Sequence, residues 1–239
     1  MTIDRPLKLG ELFAHTVELY GRRIRAVAGL GASLAGMIVL ARLAPVGVDL
    51  AVLALGLTAC YAASARVAAG DSFAEACAQA IHSLPVLLVL TLVVSVPLAL
   101  ALTDALLVLV VVAWVTFSGF SIPVAVLERE PDANWLGQVG NALSRSVWLA
   151  RVEYLHALGV CAALALVWLL FGRVLTVLLT GFADNGSFAA FLIAQAVLGP
   201  FFFLGLSVLY FEQKVRAVSS RSDRTRRPDA EVPDAVDPE

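Results

Sequence analysis

Charge is what this sequence has least of. Asp, Glu, Lys and Arg make up only 15% of its 239 residues, against ~25% in ordinary soluble domains. Lysine is nearly absent, with Lys8 and Lys214 set beside fifteen arginines, a bias that points to a GC-rich bacterial genome. The three cysteines, Cys60, Cys77 and Cys161, have no CxxC spacing. That argues against a zinc site or a disulfide framework, and they read as small buried hydrophobes. A net charge of −2, with no global basic face, argues against nucleic acid as a partner. Nucleotide-binding loops, nucleophile elbows and paired catalytic carboxylates are missing too, so the sequence asks for no cofactor and names no catalytic residue. Nor is there a secretory signal. Asp4, Glu11 and Glu18 interrupt the first 23 residues and no small-residue cleavage site follows the first apolar run, which is expected to stay as an anchor.

What is abundant is hydrocarbon. Hydrophobic residues account for 60% of the chain and the mean hydropathy is +0.87. A water-soluble core has no room for that much apolar surface, whereas a bilayer does. A hydrocarbon layer ~30 Å thick needs ~20 apolar residues per helix. Six runs qualify: Ile24–Leu43, Val48–Ala69, Leu84–Leu102, Ala105–Leu127, Tyr154–Thr180 and Phe188–Phe211. Turn residues separate each pair: Ala44–Gly47, Thr103-Asp104 and Gly181–Ser187. The expected fold is an all-α membrane protein of six transmembrane helices arranged as three hairpins.

Basic residues set the expected orientation. With the N-terminus cytoplasmic, 15 of the 17 fall on the inside, and only Arg42 and Arg173 fall outside. That is the bias cytoplasmic loops carry. The chain is therefore expected to be multi-pass in the bacterial cytoplasmic membrane with both termini cytoplasmic.

The segment before each hairpin has helical periodicity of its own. Leu9, Leu12, Phe13, Val17, Tyr20 and Ile24 form one stripe, with Glu11, His15, Glu18 and Arg22 opposite. Phe73, Ala76, Cys77, Ala80, Ile81 and Leu84 form a second, opened by a Ser72…Glu75 capping box. Leu136, Val139, Leu143 and Val147 form a third. Such helices suit the membrane interface. Leu9, Phe73 and Leu136 are 64 and 63 residues apart, and the column Glu11, Glu75, Gln138 keeps those steps. This suggests three repeats, about 8–69, 71–127 and 134–211, within a transmembrane domain over 1–218. From Ser219 the chain is polar and Pro-rich and is expected to be a disordered cytoplasmic tail.

Candidate polar sites are few. Glu11, His15 and Glu18, at i, i+4 and i+7, share a helix face in a spacing that could present three metal ligands. A solvated stripe gives the same spacing and is the ordinary reading. Arg22, Arg23 and Arg25, with Lys214 and Arg216, form a basic inner rim suited to anionic lipid or a partner, although topology alone accounts for them. Arg173 lies late in the fifth run, where it would snorkel to the outer headgroups or pair with Asp104 or Asp184. Pro97, Gln195 and Pro200 could mark opened backbone on a substrate path, or kinks that serve packing alone. Glu128 and Glu130, beside Arg129, read as a solvated charge run.

Three stretches carry a resemblance. Arg5–Phe13 with Leu19–Arg23, Pro123–Glu128 with Ala142–Ser146, and Leu209–Arg216 are similar to segments of the bacterial glycerophosphodiester phosphodiesterase membrane-domain family. The match is degenerate: Glu212-Gln213-Lys214 stands where that family often has a shorter acid, a leucine and an arginine. The resemblance implies a multi-helix membrane domain. The hydrolase domain fused to it elsewhere has no counterpart here, so its activity is not expected. The expected function is a non-enzymatic scaffold or accessory component of envelope or lipid-related machinery. Membrane lipids, and other membrane proteins, would be its partners. A small lipid or solute transporter and a lipid-modifying enzyme are the alternatives.

Overall fold

Each of the three amphipathic segments becomes a helix because its first turn is capped. Helix α1 (Leu9–Arg22) opens where the Lys8 N–H donates to Glu11 Oε2 at 3.0 Å. In α4 (Phe73–His82), Ser72 and Glu75 form the reciprocal box, with Ser72 N–H to Glu75 Oε2 at 2.9 Å. In α8 (Trp135–Val152) the Asn134 side chain accepts from the Gly137 N–H at 2.7 Å. These caps satisfy donors that a helix start leaves orphaned. A single residue then breaks each helix from the next: Arg23, Ser83 and Glu153 precede α2 (Ile24–Leu43), α5 (Leu84–Ala101) and α9 (Tyr154–Thr180). The remaining helices are α3 (Val48–Ala69), α6 (Leu107–Ser118), α7 (Ser121–Leu127) and α10 (Gly186–Thr225). The structure, a computed structural model, describes residues 5–45, 47–101, 107–129, 134–180 and 186–225.

The protein is an all-α membrane protein. Five stretches are long and apolar enough to cross a bilayer, or six if α4 and the start of α5 count as one span bent by 80°. Two expectations need adjustment. The described part of the run Ala105–Leu127 is two helices, α6 and α7, because Pro123 has no N–H for the Gly119 carbonyl and its ring would clash there. Ser146 of α8 covers the break by donating to the Phe117 carbonyl at 2.5 Å. The last helix continues to Thr225, beyond Ser219 where disorder was expected, since extending a formed helix into its polar tail needs no new nucleus. The helices α1, α4 and α8 start 64 and 62 residues apart, and the breaks that follow them lie 60 and 70 apart.

The long helix α10 is the hub, packing against α9, α2, α3, α1 and α8. Leu204, Val208, Leu209 and Tyr210 on it are fully buried. Tyr61 of α3 stacks on Phe203, with ring centroids 5.4 Å apart. At the opposite end from its charged residues, Phe188 lies under the guanidinium of Arg42, 4.1 Å from the ring centroid.

Candidate functional site

The charged end of α10 is built by helix periodicity. Tyr210 and Lys214 are four residues apart and share a face; Glu212 and Arg216 share the face offset by two residues, nearly opposite. One turn-and-a-half of helix therefore feeds two separate polar centres.

The first centre gathers on Glu128, the residue that caps the end of α7. Its Oε1 accepts from the Tyr210 hydroxyl at 2.6 Å and pairs with Lys214 Nζ at 2.7 Å. Arg145 Nε of α8 lies 3.4 Å from Oε2, and its guanidinium rests 4.3 Å over the Trp148 ring. Partial burial pushes the Glu128 carboxyl up. The hydrogen bonds from Lys214 and Tyr210, with the charges of Lys214 and Arg145, outweigh it and hold the group below the ordinary carboxylate range. The expectation of a solvated charge run is corrected at Glu128, a partly buried carboxylate that joins α7, α8 and α10; Glu130 lies outside the described residues.

The second centre is more enclosed. Glu212 and Gln213 are fully buried, and Arg216 is mostly so. Arg216 pairs through Nε with Glu212 and through Nη1 with Glu153, the residue between α8 and α9. Its Nη2 donates to the Leu7 carbonyl at 2.8 Å and lies 3.4 Å from His156 Nε2. His156 Nε2 is in turn 3.7 Å from Glu212 Oε1, and the Gln213 amide donates to Glu212 Oε2 at 3.3 Å. Mechanically, the cluster fastens the segment entering α1 to Arg216 of α10.

The basic residues singled out in the sequence go to different places. Lys214, half-exposed, and Arg216, mostly buried, pair with carboxylates. Arg22 stays on the surface and pairs with Glu18 at 2.6 Å. Arg23 reaches the Asp71 carbonyl at 3.5 Å, next to an Arg66–Asp71 ion pair of 2.7 Å, and Arg25 is exposed. In the stripe, Glu11 is taken up by the Lys8 N–H and by Arg5 at 3.0 Å, whereas His15 faces Glu18 at 3.8 Å. Among the described residues, no three His, Cys, Asp or Glu side chains group so as to hold a metal ion. Arg173 is exposed on α9. Asp104 and Asp184, its suggested partners, lie outside the described residues.

The intramembrane polar marks resolve into packing contacts. The Trp168 indole donates to Gln195 Oε1 at 3.2 Å. The carbonyl of Val197, beside Pro200, accepts from the Tyr20 hydroxyl at 3.1 Å. The sequence reading missed Glu128, Glu153 and Glu212 as anchors; the available signal was the pair of i, i+4 polar couples at the end of an apolar helix. Pro123–Glu128, Ala142–Ser146 and Leu209–Arg216, three stretches that carry the sequence resemblance, all meet at this end of the bundle. No family model, curated protein or solved structure matches the chain.

Proposed function

We propose that the chain is a non-enzymatic, multi-pass component of the bacterial cytoplasmic membrane. It would keep both termini on the cytoplasmic face and serve as a scaffold or accessory subunit of envelope or lipid-related machinery. The observation that carries this reading is the way carboxylates are used. Glu128 and Glu212 are each committed to cationic and polar partners that bind helices to one another. A carboxylate so committed fastens elements; a general acid or base needs a face open to substrate. The contact between Leu7 and Arg216 supports placing both ends on one side. The kinship with the glycerophosphodiester phosphodiesterase membrane-domain proteins belongs to the same proposal, supported by the convergence of three of its matching stretches.

Native mass spectrometry after gentle extraction at native expression tests the role. Bound subunits in defined stoichiometry are expected, and a protein recovered always alone would refute it. The transporter alternative is favoured by Pro200, which sits inside α10 and removes one of its helical hydrogen bonds. It predicts flux of a lipid or solute in reconstituted liposomes. The enzyme alternative would place turnover on the inner-face stripe; intact activity in Glu11→Ala and His15→Ala would remove those residues from any such role.

A further inference from the structure

The bend between α4 and α5 leaves a space that the helices themselves do not fill. At Ser83 α4 turns 80° away from α5, and it packs against α3 and α2. The Phe73 ring pins it there: a Cβ on Gly29 of α2 would sit 3.0 Å from that ring. Inside the angle is a partly open cleft of ≈ 300 Å³ between α2, α3, α4 and α5.

We propose that this cleft is a binding site for one acyl chain of a membrane phospholipid. Its wall is almost wholly hydrocarbon, with Met37, Ala59 and Ile81 among the lining residues. Ser33 supplies the only hydroxyl in the lining, and the Cys60 thiol is directed at the Leu30 carbonyl, 4.0 Å away. Water therefore finds few partners there; a dry apolar cavity of about 150 Å³ already excludes it. Left empty, the wall would lose dispersion contacts along its whole length.

Depth selects the acyl chain over the headgroup. On α2 the lining begins at Leu30 and ends at Met37, which at 1.5 Å per residue is roughly 9–20 Å beyond Ile24. On α3 it runs from Leu55 to Ala63, roughly 9–21 Å before Ala69. Two antiparallel helices thus give the same level, well inside a hydrocarbon layer of ~30 Å. At that level the surrounding solvent is the methylene region of the lipid.

The test uses the full chain in liposomes of phosphatidylethanolamine and phosphatidylglycerol, doped with a phosphatidylcholine that carries a diazirine in one acyl chain. After photolysis, peptide mapping is expected to find adducts at Ser33, Ala59 and Cys77 several-fold above those at Leu166, an exposed residue of α9. Ala59→Phe is expected to lower the cleft adducts several-fold and leave Leu166 unchanged. Cleft labelling no higher than at Leu166, or unaltered by Ala59→Phe in a folded protein, would overturn the site. Should that variant not fold, the ratio in the native chain decides alone. The measurement reads lipid contact, so it stands or falls independently of the scaffold role.

Discussion

Pro200 cannot donate to the carbonyl four residues back, which leaves Ala196 O without its helical partner. The fold answers with the smallest possible neighbour. Gly31 of α2 packs so close that a Cβ there would lie 2.1 Å from that oxygen. A backbone atom inside a packed helix cannot swing aside as a side chain can. Gly31→Ala is therefore expected to destabilise by about 1–3 kcal/mol, as overpacking does. Gly36→Ala, with nothing within 4 Å of its Cβ, should lose nothing. Thermal melts of the two variants in detergent make the comparison, and equal melting temperatures would contradict it. Tyr61 makes the converse case. Its hydroxyl is buried and finds no hydrogen-bond partner among the described residues, while its ring stacks on Phe203. An unsatisfied hydroxyl carries a desolvation penalty with no return. Tyr61→Phe should leave the melting temperature unchanged or raise it; a clear drop would reveal a hidden partner.

At the scale of elements, the sequence is legible where one rule decides and opaque where two compete. Ile24–Leu43, Val48–Ala69 and Tyr154–Thr180 fold as read because a long apolar run between breakers has a single solution. The split between α6 and α7 was hidden because hydropathy ignores the backbone donor that Pro123 lacks. Glu128 was misread because charge density along a sequence does not show what a distant helix will bring to it. Its partners come from residue 145 and from residues 210 and 214, beyond the reach of local pattern. The couples Tyr210–Lys214 and Glu212–Arg216 could have been read as polar faces, but not the carboxylates they would meet. If Glu128 joins three elements as one unit, its two donors should not act independently. Tyr210→Phe and Lys214→Met are expected to show a coupling of about 0.5–3 kcal/mol in a double-mutant cycle. Additive losses would mean that the two contacts act independently.

For the whole molecule, the polar end acts as a clasp on a bundle that is otherwise held by hydrocarbon contacts. Charges are costly near lipid, and both centres answer by pairing them, so the clasp depends on which groups are ionised. The Glu128 carboxyl gives this dependence a sign. Because Lys214, Tyr210 and Arg145 hold it below the ordinary range despite burial, the unfolded chain takes up its proton first as the pH falls. Its contribution to stability is fully present above the unfolded carboxyl value of ~4.3 and disappears as pH drops through the lower folded value. Glu128→Gln should therefore melt below the native protein at pH 7, and the gap should close progressively under acid. Glu11, also held low, chiefly by the Lys8 N–H, titrates in the same window but is present in both proteins and cancels in the difference. Melting curves of the pair from pH 7 to about pH 3 read this directly. A gap that stays constant across the range would show that Glu128 contributes through shape and not through charge.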